Sequence, residues 1–393
     1  MVRVEIAVIE EFFDVAVVGS GFGGAVTACR AAEAGRRVLV LERGKQYRPG
    51  EFPGDSLESP TDLWDPSDGM FGPFQVWSLR HLDVIVPSGV GGGSLICATP
   101  RARMPEEWFA AYATDWPLRY SDVAEHYRTV ETMMIAEPAS LALALAVVGG
   151  GSRSGDPFPV AGERDCRGLG DGLGGTDGTE DTLDFYLAQA QRWGAEIRPL
   201  HEVKRITATT GGYELDYVVH RPTAPLWERA RRAPGQLRAL RRVRARTVVL
   251  AAGALGSTWL LLTNRPGLPY LSGQLGARFS STDDAPDVLT LTGGRLDLDW
   301  SADGSRRHLR DVWTRIVTKV MPHRTITTYP LGGCPMGKDP AYGVVDRHGE
   351  TFGHPGLFIA DGSVLPAPVG AHPSLTIAAL AERFADKIVE RSR

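Results

Sequence analysis

Phe13-Asp14-Val15-Ala16-Val17-Val18-Gly19-Ser20-Gly21-Phe22-Gly23-Gly24 is the stretch on which the fold turns. Four apolar residues, Val15 to Val18, run straight into Gly19-x-Gly21-x-x-Gly24. Ala25 to Ala34 then has the composition of a helix, and Arg37-Val38-Leu39-Val40-Leu41 that of a second strand ending in Glu42. The order is strand, tight glycine turn, helix, strand, acid. In a dinucleotide site Gly19 allows the turn, Gly21 leaves room for a pyrophosphate and Gly24 lets the helix pack close to the strand. The helix start offers unpaired N–H groups to the phosphates. Glu42 can accept from a ribose 2′-OH, and its charge argues against a 2′-phosphate, so against NADP. The acid does not separate NAD from FAD, although a motif this early in the chain fits the ADP half of an FAD site.

Working outward, the chain has 393 residues, enough for two or three domains. Hydrophobic content of 43% and charged content of 23% are those of a globular protein. A net charge of −4 gives no sign of nucleic-acid binding. One strongly basic stretch, Arg229 to Arg246, reads as a solvated connection leading into a buried strand, with a docking patch for an acidic partner as the alternative. The four cysteines, Cys29, Cys97, Cys166 and Cys334, form no CxxC, so neither a metal site nor a disulfide framework is expected. Met1 to Phe12 lacks the pattern of a signal peptide, and no run approaches the length of a membrane span. A cytoplasmic location is the resulting expectation.

Residues 45 to 88, rich in Pro, Asp and Gly, read as an irregular excursion. Pro87 to Ser94 is a second glycine-rich loop, with Gly91, Gly92, Gly93 and Ser94 at its centre. Residues 105 to 134 read as helical. Residues 149 to 181 are glycine-heavy and read as loop. Thr182 to Trp193 reads as a helix, and Glu196 to Leu200 and Val203 to Ile206 as strand. Thr247 to Ala251, followed by Ala252-Gly253 and a helix through Leu262, is a second strand–glycine–helix corner. Alternation around Val288 to Leu298 suggests strands, and His308 to Val320 a helix. Leu357 to Ser363 is a strand ending in Asp361-Gly362-Ser363, and Pro373 to Lys387 is a helix.

These blocks together resemble the glucose–methanol–choline (GMC) flavin oxidoreductases, most closely their bacterial cholesterol-oxidase-like branch. The matching segments are the opening glycine turn with Glu42, Gly89 to Ser94, Leu200-His201-Glu202-Val203, Val248 to Ser257, Tyr329-Pro330-Leu331-Gly332-Gly333-Cys334-Pro335-Met336-Gly337, and Ala360 to Ser363 with Pro373 to Arg383. They cover roughly half of the chain, in family order. The resemblance implies an α/β fold in which a Rossmann-like FAD-binding domain carries a smaller sheet-bearing substrate domain. It implies FAD held without a covalent bond, contacted by Gly19, Gly21, Phe22, Gly24, Glu42, Gly91, Gly92, Gly93, Ser94, Val203, Ala252, Gly253, Asp361, Gly362, Pro373, Ser374 and Leu375. The helix opened by Pro373-Ser374-Leu375 could turn its dipole toward the flavin's pyrimidine end, where negative charge gathers on reduction. The expected division is 1–110, 191–264 and 329–393 for the FAD domain, 111–190 as a helical and loop insertion on the substrate side, and 265–328 as a reduced substrate segment.

Three departures mark the chain. The family carries His before Pro-Leu-Gly-Gly, and here the residue is Tyr329, whose phenol titrates near ~10 and is a poor base at neutral pH. The second active-site position falls on His372, which reads either as the base or as a hydrogen-bonded remnant in a reshaped pocket. The stretch Thr258 to Thr328 is short, and nothing in it matches the glutamate of cholesterol-oxidising relatives. Residues 166 to 181 carry Gly and Asp in place of the family's cysteine-rich segment. The expected function is FAD-dependent oxidation of a hydroxyl on an apolar small molecule, sterol-, terpenoid- or polyketide-like. The alternatives are redox-neutral flavin chemistry or a non-catalytic binding protein. No nucleic-acid partner is expected, and oligomeric state is not legible.

Overall fold

The computed structural model describes residues 6–48, 51, 62–79, 82–95, 103–114, 116–135, 182–222, 240–281, 325–327, 330–367 and 373–393. In chain order these form β1 (Ile6–Val18), α1 (Phe22–Glu33), β2 (Val38–Leu41), β3 (Trp64–Asp65), β4 (Met70–Phe71), β5 (Phe74–Ser78), β6 (Leu82–Pro87), α2 (Glu106–Tyr112), α3 (Ala124–Ile135) and α4 (Thr182–Arg192). There follow β7 (Glu196–Arg198), β8 (His201–Thr209), β9 (Gly212–Val219), β10 (Leu240–Leu250), α5 (Gly253–Thr263), β11 (Ser280–Ser281), β12 (Thr325–Thr327), β13 (Pro330–Leu331), β14 (Leu357–Ile359) and α6 (Ser374–Arg391).

The apolar run Val15 to Val18 is buried, as a parallel strand covered on both faces must be. It pairs parallel with β2 on one side and with β10 on the other, and β7 and β14 continue the parallel pairing outward. β8 and β9 add an antiparallel hairpin to the first half of β10. The parallel core of the large sheet is thus drawn from residues 6–41, 196–198, 240–250 and 357–359. This is an α/β, Rossmann-like arrangement.

Helix α1 lies against this sheet because small residues line it. Gly23, Gly24, Ala25, Ala28, Ala31 and Ala32 are all buried. α4 and α6 pack on α1, and α3 packs on α6. A buried carboxylate ties three of them together. Glu382 of α6 takes both Nε and Nη2 of Arg30 at 2.8 and 2.9 Å, and Tyr186 of α4 donates to it at 2.7 Å. Tyr127 of α3 and Thr376 of α6 share a buried hydroxyl bond of 2.8 Å.

Three local expectations are corrected. The supposed excursion 45–88 contains the β3–β4 ribbon and the β5–β6 hairpin, and β12 joins β6 in parallel. Its strands were hidden because both faces are buried. Trp77 and Val84 pack with Leu255 of α5, while Phe74, Val76 and Ile85 are buried on the other face, so no polar alternation appears. The basic stretch is not all connection, since its last part, from Leu240, is already β10. Arg242 there binds Asp216 of β9 at 2.6 Å and Glu214 at 3.0 Å, and Arg244 binds Glu214 at 2.8 Å. The helical reading of 105–134 resolves into α2 and α3, separated around Pro117 by a segment that ends in a single 3₁₀ turn, Tyr120–Asp122. The strands expected around 288–298, the helix at 308–320 and the loop at 149–181 lie outside the described residues, as does the basic stretch before 240.

Candidate cofactor site

The first glycine turn is built around two close approaches. Gly19 has φ +97°, and a Cβ there would meet the Ala251 carbonyl oxygen at 2.4 Å. A Cβ on Gly23 would meet the Ala360 carbonyl oxygen at 1.4 Å, so α1 rests directly on the strand end that precedes Asp361. Gly24 is equally confined, against Gly19.

Gly21 is different. Its φ is −66°, open to any residue, and a Cβ there would find no atom of the described residues nearer than 4.0 Å. Neither backbone strain nor packing among the described residues requires glycine at 21. The open space faces Gly91 and Gly92 of the second loop. It also lies at the start of α1, which has no side-chain cap and no acidic residue in its first turn. Unpaired N–H groups and the positive end of the helix dipole therefore border a cradle that a side chain would fill.

Glu42 stands beside this cradle, buried at the end of β2. Its Oε2 accepts from the backbone N–H of Ser20 at 3.1 Å and from the Ser20 hydroxyl at 2.8 Å, and its Oε1 accepts from Gly44 N–H at 2.8 Å. The Ser20 hydroxyl in turn accepts from Gly91 N–H at 3.1 Å. Ser94 closes its own loop by donating to the Gly91 carbonyl at 3.1 Å, and the Phe22 ring lies beside Gly93. The backbone of Glu42 is held from the other side, donating to Arg198 and accepting from His201. This corner leads into β8, where Val203 is buried opposite Tyr217.

The second corner carries Ala252 and Gly253. Gly253 has φ +80°, and its N–H donates to Asp361 Oδ2 at 3.0 Å. Ser257 donates its hydroxyl to the same oxygen and accepts from Ala252 N–H at 3.1 Å. Asp361 Oδ1 takes both the N–H and the hydroxyl of Ser363. Burial pushes the Asp361 carboxyl above the usual carboxylate range, with these donors pulling against it. Gly362 follows, its carbonyl accepting from Gly332, and it faces Ile377 in the first turn of α6. α6 opens with Pro373, Ser374 and Leu375 and has neither a side-chain cap nor an acid in its first turn. The buried Ser374 hydroxyl has no partner among the described residues.

Contacts from Ser20 to Glu42 and Gly91, from Gly19 to Ala251, from Gly23 to Ala360 and from Gly362 to Ile377 therefore bring the expected cofactor residues into one continuous region. Tyr329 and His372 lie outside the described residues. Ser20, Ser257 and Ser363 were not among the expected site residues. The available signal was a short hydroxyl residue beside each glycine turn or acid. No group of three or more His, Cys, Asp or Glu residues able to hold a metal occurs among the described residues.

A parallel sheet, a glycine turn opening an uncapped helix and an acid at the next strand end define a Rossmann-type dinucleotide-binding protein. Residues 17–51 match an NAD(P)-binding Rossmann-like domain, and residues 297–381 match GMC oxidoreductase. Over 95% of its length the chain is 26% identical to the cholesterol oxidase of Mycobacterium tuberculosis (strain ATCC 25618 / H37Rv), covering 90% of that protein. It is 24% identical to the cholesterol oxidase of Acinetobacter baumannii, over 94% of this chain and 93% of the relative. The chain is thus similar to the GMC oxidoreductases, and among them to the bacterial cholesterol oxidases. Those alignments span 539 and 533 positions against 393 residues here, so the relatives carry stretches with no counterpart in this chain. The solved structure of pyridoxine 4-oxidase from Mesorbium loti shares the fold, with a TM-score of 0.58 at 17% identity over 95% of this chain and 98% of that one.

Proposed function

We propose that the chain is an FAD-dependent enzyme that oxidises a hydroxyl group of an apolar, sterol-, terpenoid- or polyketide-like small molecule. The observation that carries this reading is Gly21, a glycine that neither its φ nor any neighbour among the described residues requires, placed where a pyrophosphate would pass the start of α1. The match to GMC oxidoreductase over residues 297–381 and the likeness to cholesterol oxidases over 95% of this chain support the CH–OH chemistry. FAD fits better than NADP because Glu42 would oppose a 2′-phosphate.

In this reading Gly19, Gly21 and Gly24 with α1 hold the pyrophosphate, Glu42 the adenosine ribose and the Val203 region the adenine side. Gly91 to Ser94 close the second wall. Ala252, Gly253, Asp361 and Gly362 shape the floor, and Pro373 to Leu375 present the start of α6. Bound FAD would supply the two-electron acceptor for the substrate hydride. His372 takes the hydroxyl proton, and Tyr329 donates a hydrogen bond that orients the substrate oxygen. The identity of Tyr329 favours one second reading, redox-neutral chemistry on the same flavin, since a phenol replaces the family imidazole.

The purified protein is expected to show a flavin absorption spectrum, with FAD released on denaturation. Gly21→Val is expected to lose FAD by roughly 100-fold or more in affinity while folding normally. Full FAD retention in that variant would remove the glycine turn from the site. His372→Ala is expected to lower alcohol-dependent flavin reduction by roughly 10² to 10⁴ with FAD still bound. No flavin reduction by any alcohol, with product formed anaerobically and no acceptor consumed, would favour the redox-neutral reading.

A further inference from the structure

We propose that Ser20 is the positioning residue for ribose recognition, its hydroxyl setting the Glu42 carboxylate and fastening the second glycine loop to it. This rests on the reading of the site as an FAD site. Ser20 occupies the variable position between Gly19 and Gly21, where the turn itself makes no demand for a hydroxyl. Yet it is fully buried, and its hydroxyl both donates and accepts. It donates to Glu42 Oε2 at 2.8 Å and accepts from Gly91 N–H at 3.1 Å. The three segments meeting at that one oxygen are the turn, the acid and the second loop, with Ser20 separated from Glu42 by 22 positions and from Gly91 by 71.

The consequence lies in what Glu42 has left to offer. A carboxylate has about four acceptor positions. Two are taken on Oε2 by Ser20, and one on Oε1 by Gly44. Among the described residues one acceptor position remains free, on Oε1. The acid therefore presents a single, directed acceptor, suited to one ribose hydroxyl. Without the Ser20 hydroxyl, Oε2 loses its shorter bond and Gly91 N–H loses its acceptor. Carboxylate orientation and loop placement would loosen together.

The test compares binding of FAD and of FAD lacking the adenosine 2′-hydroxyl to the apoprotein, by fluorescence titration. Natural protein is expected to prefer FAD over the 2′-deoxy form. Ser20→Ala is expected to weaken FAD by roughly tenfold and the 2′-deoxy form by clearly less, so the preference shrinks. Glu42→Gln is expected to shrink the same preference, and adding Ser20→Ala to it is expected to change the ratio no further. Equal loss of both ligands in Ser20→Ala, or no loss of either, would overturn the role of Ser20 while leaving the FAD site standing. Failure of the natural protein to bind FAD would instead overturn the reading on which the proposal rests. Should Ser20→Ala not fold by thermal melting, Ser20→Cys keeps the size, offers only a weak donor and acceptor, and carries the same comparison.

Discussion

The two strand–glycine–helix corners are written alike and behave differently. At the first, β1 turns through Gly19 into α1; at the second, β10 turns through Ala252 and Gly253 into α5. Each corner has a serine that accepts a backbone N–H and passes a hydrogen bond to a buried acid. Ser20 serves Glu42, and Ser257 serves Asp361. The difference lies in where the acid sits. Glu42 stands to the side of α1 and leaves its first N–H groups open. Asp361 accepts directly from the Gly253 N–H and so occupies the start of α5. A carboxylate at a helix start satisfies its unpaired donors and opposes its dipole. The second corner thus has one of its donors taken by the protein itself, while at the first no acid accepts from the start of α1 among the described residues. The sequence writes the two corners alike; the fold places an acid on only one of them.

The largest test of this contrast uses two alanines two residues apart. Gly23→Ala places a methyl where the Ala360 carbonyl already lies, and is expected to cost at least about 3 kcal/mol or to prevent folding, read by urea unfolding. Gly21→Ala brings its methyl no nearer than 4.0 Å to any atom of the described residues and is expected to change stability by less than about 1 kcal/mol. Equal damage from the two would break the distinction between a structural glycine and a ligand-facing one. Next in size is Asp361→Ala, which strips the acceptor from Gly253, Ser257 and Ser363 at once. A loss of about 2–4 kcal/mol is expected by denaturant unfolding. The start of α5 should then become available to anions, so inorganic pyrophosphate should raise the melting temperature of the variant more than that of the natural protein.

The smallest effect is a pH dependence on the first corner's side. Burial alone would raise the Glu202 carboxyl, but the bond from His220 at 2.8 Å and the Lys204 charge at 2.7 Å outweigh it and hold it at about 2. A depressed carboxyl contributes stability above its ordinary value of 4.5, and that contribution fades as pH falls from there toward about 2. Replacing His220 with Gln should raise the Glu202 value and shrink the acid-sensitive part of stability, measured as melting temperature between pH 5 and 2 (roughly the window set by those values). Asp361 has the opposite sign, since burial raises its carboxyl and protonation relieves the cost of the charge. An acid limb unchanged in the His220 variant would show that Glu202 is not its source.

Much of the first corner was legible because each residue answers a local constraint. Gly19, Gly21, Gly24 and Glu42 fall at fixed spacings within one β-α-β unit, and that spacing is geometry. The small sheet was not legible, because β6 finds its parallel partner β12 about 240 residues further on, and burial of both faces leaves no polar alternation to read. The filling of the second corner was equally hidden, since Gly253 and Asp361 are 108 positions apart. Ser20 escaped notice because a fingerprint of glycines treats the residue between them as free. Its partners show that it is not.

The pairing of Arg30 with Glu382, 352 positions apart, also has a consequence in time. The glycine turn lies near residue 20, whereas the carbonyl on which α1 rests is that of Ala360 and the helix that clamps α1 from behind is α6. Without them α1 is a small-residue helix with little to bury, and β1 meets its β10 neighbour only across more than two hundred residues of chain. Pairing over such distances is slow because chain entropy is lost before the contacts form. The most recognisable segment of this protein is therefore held in place by some of its longest-range contacts, and its completion is expected to lag behind the local helices.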